Sequence, residues 1–355
     1  MEIKTEILVI GSGVAGLIAA LTAADKGREV LIITKLPSLL SGNSPWAQGG
    51  IVFWGKNDDA EKLKHDIFEA GHWHSWPPAV DLIVEMGPRL VKELLVEKYG
   101  VDFDKTETGE FDLTSEGAHS EHRIIHSKDK TGESIHLSLI EATKKHPNIK
   151  YLVNHTAVDL LTLSHHSTRS IDIYTKPTCF GAFVLNNQTG NVFPIFANKI
   201  ILATGGLGQI YLHTTNPPES TGDGIALAYR AGVRIINLQF IQFHPTAFYS
   251  EKDRFLISEA VRGEGGILID KNGREFMQEF HELGSLAPRD VVARGIHQTM
   301  LRTGHPCVYL DISFKNSDWI KNRFPTIYNH LLKAGVDMTK EPIPVVPAAH
   351  YSCGG

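Results

Sequence analysis

Gly11-Ser12-Gly13-Val14-Ala15-Gly16 sets three glycines between a short apolar run, Ile7-Leu8-Val9-Ile10, and a helix-like stretch reaching to about Lys26. Each glycine has its own physical use. Gly11 allows a tight turn, Gly13 lets the backbone approach a pyrophosphate, and Gly16 lets helix and strand pack closely. The helix N-terminus then offers unbonded N–H groups to phosphate oxygens. Gly27 closes the helix and Val30-Leu31-Ile32-Ile33 supplies a second strand, so the glycines sit in a complete strand–turn–helix–strand unit. That context makes dinucleotide binding a far stronger expectation than the spacing alone. One feature departs from the pattern. The acidic ribose-binding residue expected about 20 residues on is missing, and the strand ends Thr34-Lys35. The ribose is then left to Thr34, backbone or a nearby side chain, which weakens a nicotinamide-dinucleotide reading.

Other polar islands carry chemical potential. Ser41-Gly42-Asn43-Ser44-Pro45-Trp46-Ala47-Gln48-Gly49-Gly50 is a second glycine-rich loop, also compatible with an ordinary surface loop. Thr221-Gly222-Asp223-Gly224 opens a helix through Arg230 and suits phosphate contact. Further on come Gln242-Phe243-His244-Pro245-Thr246, Glu259-Ala260-Val261-Arg262, Ala287-Pro288-Arg289-Asp290 and His350-Tyr351-Ser352-Cys353-Gly354-Gly355. A lone histidine is more often structural than a ligand, and an Arg/Glu group is commonly a buried ion-pair cluster. His119, Glu121, His122 and His126 have spacings that a helix could bring together around a metal, but the segment is glycine-led, and no metal is expected. No cysteine set suits an iron–sulfur cluster, and no G-x-S-x-G elbow supports serine catalysis.

The elements that must position these residues follow from pattern. The 355 residues suffice for two domains, and 42% hydrophobic with 21% charged residues describes a globular chain. A net charge of −5 gives no reason to expect a nucleic-acid or polybasic membrane partner. The uncharged run Ile7–Ala24 has the length of a membrane span, but its glycines and the missing basic flank make it a buried strand and helix. Cys179, Cys307 and Cys353 are far apart and odd in number, which favours a reducing, cytoplasmic setting. Helices are expected over Pro88–Glu97 and Ile135–Lys145. Strands are expected over Ala157–Leu161, Gly181–Leu185 and Lys199–Leu202, the last running into Ala203-Thr204-Gly205-Gly206.

On these segments the chain resembles the flavoprotein family of succinate dehydrogenase, fumarate reductase and L-aspartate oxidase, from Gly11 to Gly355. Phe280–Asp290 and His350–Gly355 are most similar to the L-aspartate oxidase branch. The resemblance implies an α/β fold: a Rossmann-like FAD-binding domain (1–236), an inserted α+β capping domain carrying substrate residues (237–351), and a return to the flavin domain beginning at 352–355. It implies FAD held against Gly11, Ser12, Gly13, Ala15, Gly16, Lys35, Asn43, Ser44, Gln48, Gly49, Gly50, Ala157, Val158, Thr204, Gly205, Gly206 and Asp223. Respiratory succinate dehydrogenases carry a flavin-linking histidine five residues before the A-Q-G-G glutamine; Asn43 stands there, so the flavin is expected to be noncovalent.

The resemblance also implies roles. Glu116 takes the place of an apolar aromatic in the C4-dicarboxylate enzymes, which suits a substrate bearing an ammonium group. His244 and His350 match carboxylate clamps, and Ser258 is expected to add a hydroxyl where aspartate oxidases usually have threonine. Arg289 matches the proton-transferring arginine, with Glu259 and Arg262 at proton-relay positions. Arginine is a poor base in water, and neighbouring cations would ease its deprotonation. The implied reaction is oxidation of L-aspartate to iminoaspartate with dioxygen or fumarate as acceptor, in NAD biosynthesis, with quinolinate synthase consuming the product. The rivals are a fumarate reductase or succinate dehydrogenase flavoprotein, and a catalytically silent flavoprotein fragment, because the family continues beyond its H-Y-x-x-G-G motif. The last reading expects the first strand–helix–strand unit to lack strand neighbours, apolar surface to be exposed, and FAD retention, solubility and turnover to be low.

Overall fold

The computed structural model describes residues 2–115, 119–250 and 254–355. In chain order the strands are β1 (Ile3–Ile10), β2 (Val30–Ile33), β3 (Ile51–Val52), β4 (Leu113–Thr114), β5 (Ile124–Ile125), β6 (Ile149–Leu152), β7 (His155–Thr162), β8 (Cys179–Asn186), β9 (Val192–Leu202), β10 (Ile241–Phe248), β11 (Ile267–Ile269), β12 (Val308–Asp311) and β13 (Ile343–Ser352). The fold is α/β. The apolar run of β2 is buried at every position, as an interior parallel strand requires.

Six strands form the main sheet in the order β6-β2-β1-β9-β8-β7. β6, β2, β1 and β9 run parallel, and β9, β8 and β7 form an antiparallel meander. The period-2 geometry of strands sends alternate residues to opposite faces. Val9 and Ile32 join the core under the helix Val14–Ala24 with Leu17 and Leu21, while Leu8, Ile10, Leu31 and Ile33 join a second core with Leu227. β1 is paired along both edges, by β2 and by β9, and β6 occupies the outer edge of β2. The expected want of strand neighbours is therefore corrected: the meander returns its last strand directly onto β1. Large apolar side chains are nonetheless exposed at Tyr229, Val233, Ile236, Phe240 and Tyr351.

Two helix boundaries also differ from expectation. The helix expected at Pro88 starts at Pro77 and runs to Leu90, then continues as a π-helical stretch, Val91–Lys98. Pro77 and Pro78 suit a first turn whose N–H groups need no partner, whereas Pro88 is buried inside and cannot donate to the helical ladder. The helix expected from Ile135 begins at Thr131. Its start is set by packing: Gly132 donates to the Ala47 carbonyl at 3.0 Å, and a Cβ on Gly132 would come within 2.0 Å of the Ser44 carbonyl.

A second sheet, β10-β13-β12-β11, is antiparallel and has its own core, including Phe248, Leu268, Ile296, Leu310 and Val345. The chain enters and leaves this region at one point. Ile236 and Gly355 exchange backbone hydrogen bonds of 3.0 and 2.9 Å, and Cys353 donates to the Phe240 carbonyl at 2.9 Å. The small sheet β3-β5-β4 completes the set.

Candidate active site

The first glycine loop lines a cavity of about 320 Å³, within the range of small-molecule sites. Gly11 adopts φ +115°, and a Cβ there would meet the Ala203 carbonyl oxygen at 2.1 Å, so only glycine fits where β1 turns beside the end of β9. A Cβ on Gly16 would meet the Gly11 carbonyl oxygen at 2.1 Å, which is the close helix–strand packing that the spacing predicts. Gly13 is the N-cap and supplies no capping side chain. Ser44 instead accepts from the Val14 N–H at 3.1 Å. This open glycine cradle at a helix N-terminus fits the diphosphate of a dinucleotide.

Gly11, Ser12, Gly13, Ala15, Lys35 and Asn43 line the cavity, as do Ser44, Ala157, Thr204, Gly205 and Asp223. Thr34 lines it as well, at the end of β2. Gly16, Gln48, Gly49, Gly50, Val158 and Gly206 are not in its wall. A Cβ on Gly50 would meet Ile124, and Val158 is exposed, with its carbonyl accepting from Arg230 at 2.8 Å. Lys35 pairs with Asp223 at 2.6 Å. Burial raises the Asp223 carboxyl, but Lys35 and Thr221 outweigh it and hold the group below the usual carboxylate range.

Sequence reasoning missed two supports of this cavity. Glu219 puts a carboxylate in its wall, although none stands at the end of β2, and holds the Gly42 N–H at 3.1 Å. His136, fully buried on the helix Thr131–Lys145, places Nε2 at 2.7 Å from the Ser12 carbonyl. Burial lowers its pKa, so the ring is neutral and donates to that carbonyl, bracing the glycine loop from behind. Only its position one turn into a helix that docks on Ser44–Ala47 could have revealed it.

The second group of residues gathers on the four-stranded sheet and its flanking helices. His244 comes from β10, His350 from β13, Glu259 and Arg262 from the short helix Glu259–Gly263, and Arg289 starts the helix Arg289–Thr303. The imidazoles of His244 and His350 lie 5.3 Å apart at 63°. Arg289 donates from Nε to Glu259 at 2.6 Å and from Nη1 to Gln242 at 3.1 Å. Arg262 is fully buried and donates to the Ser285 carbonyl at 2.7 Å. Its Nη2 lies 3.3 Å from Glu259 without hydrogen-bond alignment, and Nε and Nη2 lack hydrogen-bond partners among the described residues. Ser258 caps the short helix, its hydroxyl accepting from Ala260 at 3.3 Å. Glu116 lies outside the described residues.

The electrostatics favour neutral histidines. Burial drives the His244 pKa well below its ordinary value, assisted by Arg289, His350 and Arg262. Burial and then Arg289 lower His350 to about 4. The backbone N–H of Thr246 donates to His244 Nδ1 at 3.2 Å, so the ring proton resides on Nε2 and that nitrogen is a donor. Thr215 lies 2.6 Å from His350 Nδ1, and Asn216 donates to the His350 carbonyl at 2.7 Å. Gln242, Thr215 and Asn216 were not anticipated; each acts through a long-range contact that no spacing reveals. Burial, then Arg289, lowers the Arg262 pKa, against the opposing effect of Glu259.

Among the described residues no group of three or more His, Cys, Asp or Glu side chains is placed to hold a metal ion, and the 119–126 histidines have other neighbours. Arg123 Nη1 is 3.2 Å from His119 Nδ1, and His126 faces Asp104 at 3.0 Å. Among the described residues no helix is long and apolar enough to cross a membrane.

Comparison with known proteins agrees with this architecture. The FAD binding domain family matches residues 6–355. L-aspartate oxidase 1 of Ralstonia nicotianae is 45% identical over 354 residues, covering 99% of this chain and 64% of the relative. L-aspartate oxidase of Pseudomonas aeruginosa is 44% identical, covering 99% of this chain and 65% of the relative. The chain thus spans somewhat less than two thirds of the length of these curated relatives. A mutant E. coli quinol fumarate reductase superposes with a TM-score of 0.88 at 28% identity, covering 100% of this chain and 62% of that one. Its glycine cradle, parallel sheet and family match together show that the chain belongs to the FAD-binding domain family that includes the L-aspartate oxidase and fumarate reductase flavoproteins.

Proposed function

We propose that the protein is an FAD-dependent L-aspartate oxidase that converts L-aspartate to iminoaspartate with dioxygen or fumarate as electron acceptor. The observation that carries this is the convergence of two neutral histidines, His244 fully buried and His350 partly buried, with an Arg289–Glu259 ion pair on one sheet, in a chain whose relatives at 44–45% identity are named L-aspartate oxidases. His244 Nε2 and the His350 ring give hydrogen bonds to substrate carboxylates without the desolvation cost of buried cations. Glu116 pairs with the substrate ammonium, and Ser258 adds a hydroxyl. Arg289, oriented by Glu259 and Gln242, gives its own proton to the Glu259 carboxylate through their 2.6 Å contact and, so deprotonated, accepts the proton from the amino nitrogen, with Arg262 beside Glu259 at the relay's far end. Bound FAD supplies the two-electron acceptor for the Cα hydrogen. With Asn43 donating to Ser220 at 3.0 Å and no histidine at that place, the flavin is held noncovalently.

In this reading residues 1–236 hold the flavin, 237–351 cover the substrate, and 352–355 return toward the flavin domain. The shared exit and entry at Ile236 and Gly355 support that division. The unstable imine calls for a consuming enzyme such as quinolinate synthase, in NAD biosynthesis in the cytoplasm. A fumarate reductase flavoprotein is the second reading, favoured by the superposition on that enzyme. Anaerobic mixing of the flavin-loaded enzyme decides: bleaching by L-aspartate but not by succinate is expected, and bleaching by succinate alone would overturn the proposal.

A further inference from the structure

A single turn, residues 213–216, holds the backbone around His350. Thr214 pairs with Ala349 as a parallel bridge beside β13. The Thr214 hydroxyl donates to the Ala349 carbonyl at 2.9 Å, and the Thr215 N–H donates to the same oxygen at 3.1 Å. Ala349 donates to the His213 carbonyl at 2.9 Å, and the Asn216 amide donates to the His350 carbonyl at 2.7 Å. The turn is itself seated. Gln209 donates to the Asn216 carbonyl at 2.8 Å, and a Cβ on Gly208 would come within 2.4 Å of the Asn216 side chain. Thr215 is buried in this setting, with its Oγ1 at 2.6 Å from His350 Nδ1.

A hydroxyl beside a neutral imidazole nitrogen can give or take a proton. Among the described residues the Thr215 hydroxyl has no acceptor besides Nδ1. A proton on Nδ1 would therefore leave the hydroxyl hydrogen unpaired in a buried place, which is costly. The hydroxyl is the donor. We propose that Thr215 is a positioning residue of the anion site: its hydroxyl donates to His350 Nδ1, keeps the ring proton on Nε2, and so makes that nitrogen the donor to a substrate carboxylate. The inference rests on the carboxylate-binding reading of His350 given above. Thr246 does the same for His244, so the site presents two Nε2–H donors, one from β10 and one from β13. Such a pair suits a dicarboxylate, because an ionised carboxylate only accepts and the other tautomer would meet it with a lone pair.

The test uses Thr215→Val and Thr215→Ala, which remove the hydroxyl with and without its bulk, and Thr215→Ser, which keeps it. All are made in the flavin-loaded full-length enzyme, beside His350→Gln. Succinate is the probe; its dissociation constant is read from the flavin spectrum, together with flavin content. Nitrogen NMR of isotope-labelled histidine, with His350→Gln identifying the resonance, reads the tautomer. The wild type is read whether or not a variant folds. The expected result is a proton on Nε2 in the wild type and Thr215→Ser, and a mixture of tautomers in Thr215→Val and Thr215→Ala. Those two should weaken succinate binding about tenfold, the worth of one hydrogen bond to a charged acceptor, with Thr215→Ser within about twofold of the wild type. A wild-type ring protonated on Nδ1, or equal losses in all three Thr215 variants, overturns the proposal. If His350→Gln leaves succinate binding unchanged, the carboxylate reading of His350 fails and this proposal falls with it. If His350→Gln weakens binding but neither hydroxyl-free variant does, the Thr215 proposal alone fails.

Discussion

The rings of His244 and His350 meet at 5.3 Å, the first fully and the second partly buried, and both face the charge of Arg289. Two neutral rings held beside a guanidinium form a site that welcomes anions, since the positive charge that disfavours a second proton on either ring attracts a carboxylate.

This pair has a consequence for stability against pH. The folded pKa of His350, about 4, lies below the ordinary value of 6.5, so the unfolded chain takes up its proton first. The stabilisation is complete above the unfolded pKa and is lost as pH falls toward 4. From pH 7 to pH 5 the group should cost about 2 kcal/mol of folding stability, with His244 adding in the same direction. Thermal or denaturant unfolding of the wild type and His350→Gln over that range should show a shallower slope for the variant. Parallel slopes would contradict the assignment.

The Arg289–Glu259 contact is expected to govern turnover. Arg289→Leu should lower kcat by roughly 10²–10⁴, the usual worth of a positioned proton acceptor. Gln242→Ala, which removes one orienting acceptor at 3.1 Å, should lower kcat by about tenfold with a small change in KM. Anaerobic stopped-flow reduction of the flavin isolates this step. Near-normal reduction by Arg289→Leu would remove the arginine from the mechanism.

Gly11→Ala should abolish flavin retention. The residue combines φ +115° with a carbonyl 2.1 Å from any Cβ, so the loop must move away from the diphosphate path. The backbone strain alone costs on the order of 1–3 kcal/mol. The flavin absorbance of the purified variant, taken relative to its protein absorbance, measures the loss directly. Full flavin content would contradict this reading of the cavity.

Asn43 makes a simple chemical forecast. Its amide bonds to Ser220 rather than offering a ring nitrogen for attachment. Acid precipitation should release all flavin to the supernatant, and yellow colour retained in the pellet would show a covalent link elsewhere.

Much of the flavin-binding half was legible from residue order because its signals are local. Ile7–Ile10, the three glycines and Val30–Ile33 are contiguous, and their burial pattern follows from strand period and helix packing without distant partners. The same locality made the strands β7, β8 and β9 readable from their apolar runs. Where residues act across the chain, order says little. The helix Thr131–Lys145 starts four residues before the expected Ile135 because Gly132 is seated by Ala47, and the helix over 77–98 starts well before the expected Pro88, which lies inside it. His136 behind Ser12 and Gln242 on Arg289 have partners 124 and 47 residues away.

The sequence by itself determined the dinucleotide turn, the parallel unit around it and the residue types available for an anion-binding site, since these depend on steric needs within a few residues. Only the tertiary structure decided that His244 and His350 meet, that Thr246 sets the proton of one ring, and that burial with Arg289 keeps both neutral. The reason is dielectric and geometric: protonation and orientation depend on which distant groups share a buried volume, and that sharing exists only once β10 and β13 are paired.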